Sequence, residues 1–230
     1  MRPTLLHSLQ ALLERTYRMD TGIADVAPFL IGDAGFRQLY DRPGVQARAQ
    51  RAGAAAGGGA RVLVRETDGA VAACIYYPDA LIRCLEDHPP ARGLTDGNMD
   101  AFATFVEELD HFLLLAERVR LRRPVSLLEL EMHANVTKYL VCALFLAARR
   151  GRGPRSPLGE RDRVWLLWHL FEKVSFAEPD PQVQSRYQAA SRFARRFLSG
   201  LDAAPTAAAR LERLRLFHDA SHEKKLAALA

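Results

Sequence analysis

Side chains on two neighbouring stretches carry the residue types of a metal site. Glu107, Glu108 and His111 fall within Phe102 to Leu115, and Glu129, Glu131 and His133 fall in the next apolar-periodic run. Carboxylates and imidazoles hold zinc-like divalent ions, and helical bundles present such ligands from facing helices. The chemistry requires two helices, correctly phased and correctly registered.

Both can be read from the residues that position them. Asp96 or Asn98 can cap a helix from residue 98 to about Arg120, which Leu121-Arg122-Arg123-Pro124 then breaks. Ser126-Leu127-Leu128-Glu129 has the form of a capping box and opens a helix to about Arg149. So short a connection makes the two antiparallel neighbours. With the turn at 122–123, positions totalling about 245 face one another, so His111 lies level with His133 and Glu107 with Lys138. At about 100° per residue, Phe102, Phe105, Leu109, Phe112 and Leu113 form one apolar stripe flanked by Glu108 and His111. His133 and Glu129 flank the face of Leu130, Ala134, Thr137 and Val141 on the second helix. Glu108, His111, His133 and Glu129 are therefore expected to converge.

Glu107-Glu108-Leu109-Asp110-His111 resembles the His-Glu-x-x-His helix of zincin metallopeptidases, with Glu107 where the first His stands. A β-hairpin ending at Tyr77 and followed by this helix is similar in order to the small zincin domains. The resemblance covers roughly residues 61 to 135. It implies His111 as a metal ligand, Glu108 as the general base, and Glu107 as a carboxylate in place of an imidazole ligand. A plainer reading stands beside it. Glu107 and Lys138 make an ordinary ion pair, Glu129 completes a capping box, and the two histidines edge the core. His218-Asp219-Ala220-Ser221-His222-Glu223 imitates a metal motif by letter, but Asp219 and Ser221 are good N-caps. A helix boundary is expected between its histidines.

The rest of the chain predicts an α+β fold, predominantly α: one β-hairpin packed on a helical assembly that contains the long antiparallel pair. A single domain over 1–230 is expected, with a mixed α/β part to residue 97 and an all-helical part from 98. Residues 4–19 read as a helix capped by Thr4, and 24–40 as a second helical region broken at Gly32 and Gly35. Gly53 to Ala60 reads as a flexible loop; no Lys-Ser/Thr follows it, so it is not a phosphate loop. Strands at 61–65 and 70–77 flank Asp68-Gly69, a strong hairpin signal. A lone hairpin is marginal in water, so it must pack on helices or pair with a strand near 26–31. A helix from Glu160 to Ala177 is apolar on nearly every side and is expected at the centre. Asp180-Pro181 opens a helix to about Leu198, Thr206 caps another to about Phe217, and Ser221 starts a short terminal one.

Composition bounds the function. Half the residues are apolar (49%) and the net charge is +5, which excludes wholesale disorder. No run of about 18 uncharged apolar residues occurs, so membrane insertion is not expected. Met1 to Leu13 lacks the apolar core of a signal peptide, which predicts a cytoplasmic protein. Cys74, Cys84 and Cys142 form no C-x-x-C and read as small core hydrophobes. Arg118 to Arg163 holds eleven basic residues against four acidic, a balance of +7, at a sequence pI of 9.4. Without a reader motif or stacking aromatics this does not make a nucleic-acid surface. The leading expectation is a non-catalytic protein acting through protein partners or self-association. The alternative is a zincin-like or bundle metal protein, with a zinc-like ion and a possible hydrolytic role, using Glu108, His111 and His133.

Overall fold

A computed structural model describes residues 3–40, 59–67, 70–149, 158–173, 180–221 and 223–225. The fold is α+β and predominantly α. Helix α1 (Leu5–Tyr17) begins where Thr4 Oγ1 accepts from the His7 amide, and ends at Arg18 in the left-handed region, φ 60°. A 3-10 turn at Ala27–Phe29 leads into β1 (Leu30–Ile31) and α2 (Asp33–Tyr40). Gly35 lies inside α2, so the break expected there falls at Gly32 alone.

The hairpin forms from β2 (Arg61–Thr67) and β3 (Ala70–Tyr76), paired antiparallel with Leu63 opposite Cys74. β1 adds itself parallel to β3, with Leu30 opposite Ile75 and Ile31 opposite Tyr76. The third strand is thus found in the region where the hairpin needed one. The loop expected at Gly53–Ala60 lies outside the described residues except for Gly59 and Ala60.

Helix α3 (Asp79–Asp87), which the sequence does not announce, follows at once, because Pro78 ends the strand and its carbonyl accepts from the Leu81 amide. Then come the two long helices, α4 (Met99–Arg120) and α5 (Leu127–Arg149). Asn98 does not cap α4 as expected. Its side chain instead knits the preceding loop, accepting from the Thr95 amide and donating to the carbonyls of His88 and Gly93. Asp96 takes Trp165 and His169. Arg122, at φ 52°, turns the chain between the long helices.

Helix α6 (Glu160–Leu167) widens into a π turn at Trp168–Glu172. It is not the central helix its composition suggested. Val164 and Trp168 are 56% and 46% exposed, and the core takes Leu166, Leu170 and Phe171. Helix α7 (Pro181–Asp202) starts at Asp180, whose carboxylate accepts from the Gln182 amide. It packs along α5, burying Ala190, Ala194 and Leu198, and small residues let helices approach closely. Helix α8 (Ala207–Asp219), capped by Thr206, returns against α1. One continuous core joins Leu9, Leu13, Phe102, Leu109, Met132 and Leu198. Among the described residues no helix is long and apolar enough to cross a membrane.

Candidate metal centre and the buried polar chain beside it

Phe105 and Phe112 on the apolar stripe of α4 turn toward the end of β3 and the 3-10 turn before β1, while Phe102 packs on Phe145 of α5. Tyr77 stacks on Phe105 at 4.6 Å and donates its hydroxyl to the Phe105 carbonyl, and Phe29 lies against Phe112. That leaves the polar flanks of α4 to meet α5, one on each side of the seam. The flanks carry two separate clusters.

The first cluster is Glu107, His111 and Glu131, whose ligand atoms all lie within 4.8 Å of one another. Glu107 and His111 are one helical turn apart on α4, and Glu131 reaches across from α5. The His111 Nε2 lies 3.8 Å from Glu131 Oε2, and its buried Nδ1 has no hydrogen-bond partner among the described residues. Lys138 closes the cluster, with Nζ 3.0 Å from Glu107 Oε2, the pairing that the register required. Burial lowers the affinity of His111 for a proton, but Glu131, Glu108 and Glu107 together raise it above the usual value. Burial pushes the Glu131 carboxyl up. Both shifts favour the protonated forms, and a divalent ion would compete with a proton for these groups.

Glu108 sits beside this cluster rather than in it. Its carboxylate accepts from the Val62 amide of β2, tying the hairpin to α4, and burial pushes it up to about 8.

The second cluster takes the remaining expected ligands and removes them from the metal set. His133 is fully buried, and its Nδ1 lies 2.8 and 3.0 Å from the Asp110 oxygens. Its Nε2 meets Nδ1 of His218 at 3.1 Å. Both ring nitrogens are committed, so His133 does not converge with His111 on one ion. Glu129 is likewise occupied, 2.6 Å from Lys225 Nζ and 3.3 Å from Arg118 Nη2. Only half of its capping box forms: the Glu129 amide donates to Ser126 Oγ, while its carboxylate turns inward.

These contacts join into one buried chain. Tyr17 and Thr137 share a hydrogen bond of 2.9 Å, and Thr137 donates to Asp110 at 2.7 Å. After His133 and His218 it continues to Glu117, whose Oε2 pairs with His218 Nε2 at 2.8 Å, off hydrogen-bond alignment. Arg118 then bridges Glu117, Glu129 and the His218 carbonyl. Three carboxylates face one guanidinium and one ammonium, so the charge balances when the histidine pair carries one proton beyond neutrality. Burial holds His133 itself below its usual value, against the pull of Asp110. Burial raises Asp110, but His133 and Thr137 bring it lower than the ordinary range. The set is paired by hydrogen bonds except at the Glu117–His218 contact, and such a network rigidifies a core, because each group left alone there would cost several kcal/mol.

The sequence singles out five ligand or base residues; Glu131 stands among its metal-type residues but outside the expected ligand set, and the partners Asp110, His218 and Lys225 are not foreseen. His218 was read only as part of a cap. The boundary expected there is present, since α8 ends at Asp219, but the histidine folds back onto α4 and α5. Compared with known protein families, curated sequences and solved structures, the chain matches none.

Proposed function

We propose that the α4–α5 pair binds one divalent metal ion through Glu107, His111 and Glu131. The observation that carries this is the approach of His111 Nε2 to 3.8 Å from Glu131 Oε2, in a half-buried set whose three ligand atoms lie within 4.8 Å of one another. The 3.8 Å between His111 and Glu131 is close to the spacing of two ligands on one ion, roughly 3.4 Å for bonds near 2.1 Å. One nitrogen and two carboxylates suit zinc, manganese or ferrous iron. Glu107 occupies the position of the first His in the zincin motif, so the resemblance and this ligand set select the same helix turn. The ion would clamp α4 to α5, displacing the Lys138 ammonium from Glu107.

The test is a titration of untagged, chelator-stripped protein with Zn2+ or Mn2+, followed by calorimetry and thermal melting. One ion per chain and a raised Tm are expected, and His111→Ala and Glu131→Gln should lose both. Absence of binding, or undiminished binding by His111→Ala, overturns the reading. A hydrolytic role would draw on Glu108, which sits beside the cluster and whose carboxyl burial pushes up to about 8. Turnover of peptide or ester substrates by metal-loaded protein, lost in Glu108→Gln, would support it.

A further inference from the structure

Between α1, α5, α7 and α8 the described residues line a cavity of about 700 Å³. Ligand sites run from roughly 300 to 1,000 Å³, whereas packed cores leave voids of about one water. The walls are chiefly leucine: Leu12 and Leu13 from α1, Leu140 and Leu144 from α5, Leu211 and Leu214 from α8. Water gains little on such walls, and a chain of methylenes gains by replacing it.

The polar groups of the lining divide in two. The Tyr17 and Thr137 hydroxyls are spent on each other and on Asp110, and the Thr16 hydroxyl donates to the Leu12 carbonyl, so the inner wall has few polar groups to offer a ligand. At the other end stand Arg163, Asp202 and Arg210, with the Tyr139 hydroxyl hydrogen-bonded to the Asp202 carboxyl. Two guanidiniums and one carboxylate line this end, and counting Glu160, which pairs with Arg163, the charges balance. Glu160 holds Arg163 through Nε and Nη2, at 3.1 Å each, from outside the cavity, leaving Nη1 out of that pair. Arginine is the side chain best shaped to take a carboxylate.

We propose that this cavity binds a long-chain carboxylate, with its alkyl chain along the leucines and its head at Arg163 and Arg210. The inference stands on the cavity alone and does not depend on the metal site. Each methylene that enters the cavity should tighten binding about fourfold, until the space is filled.

The test uses the full chain and saturated fatty acids of increasing length below their micelle concentrations, with the 1-alkanol and the alkyltrimethylammonium of equal length as controls. Affinity is expected to climb with chain length, with the alkanol about tenfold weaker than the acid and the ammonium weaker still. The double variant Arg163→Gln, Arg210→Gln should bring the acid down to the alkanol. Leu144→Trp, which fills the cavity, should abolish binding; if that variant does not fold, the length series and the arginine variant decide. Binding independent of chain length overturns the site. Equal binding of acid and alkanol, or preference for the ammonium, overturns the assigned head.

Discussion

The rings of His133 and His218 meet edge to face, Nε2 to Nδ1 at 3.1 Å, although 85 residues separate them in the chain. This contact joins α5 to α8 and completes the buried line from Tyr17 to Glu117. Asp110 anchors it, touching both His133 and Thr137.

Replacing Asp110 should therefore be costly. Asp110→Asn removes the charge that faces His133 while leaving the imidazole buried, and a stability loss of roughly 3 to 5 kcal/mol in urea unfolding is expected. A loss under about 1 kcal/mol would mean that the groups are not joined as described.

The core face of α4 gives a second measurement. Leu109 is fully buried on the apolar stripe of α4, so Leu109→Ala should cost roughly 2 to 5 kcal/mol. Below about half a kcal/mol the phase assigned to α4 would be wrong.

Acid should unfold the protein through Glu117. Burial raises that carboxyl, but His218, the Asp20 amide and Arg118 more than offset it and hold it below its usual value of 4.5. A depressed folded value means that the unfolded chain takes up the proton first. The stabilisation is complete above pH 4.5 and drains away as the pH falls through the folded value. Thermal melts of the parent protein should show this slope, and Glu117→Gln should flatten it. An unchanged slope in the variant would move the acid sensitivity elsewhere.

Lys138 and a metal ion should compete for Glu107. Lys138→Met removes the resident ammonium, so the apo protein should melt lower while Zn2+ or Mn2+ binds about tenfold more tightly and restores more stability than in the parent. Weaker metal binding in Lys138→Met would show that the lysine supports the site instead of opposing it.

The long helix pair, the hairpin and the need for a third strand near residues 26–31 were all legible, because periodicity, Asp-Gly and Pro punctuation are local signals. The pairing of Glu107 with Lys138 was legible too, from the register. The sorting of the ligands was not. On α5, Lys138 and Glu131 both fall near 80–100° from Leu130, whereas Glu129 and His133 fall near 260–300°. Once Lys138 meets Glu107, the same flank must bring Glu131 to His111 and send His133 to the other side. An apolar stripe turned wholly toward α5 would bring Glu108, His111 and His133 together, but Phe105 and Phe112 of that stripe pack on Tyr77 and Phe29. His218 and Lys225 reach the cluster only through tertiary folding, and no spacing within the sequence encodes that return.

The bond from Arg118 to the carbonyl of His218 spans 100 residues and imposes an order on biosynthesis. When α4 and α5 leave the ribosome, Glu117 and Glu129 still lack the histidine and lysine that will neutralise them, and Asp110 must wait for His133 to be braced. At bacterial-type elongation rates of about 5–20 residues per second, that wait lasts on the order of five to twenty seconds. During this interval the nascent chain exposes a helical hairpin with mismatched charge along its seam.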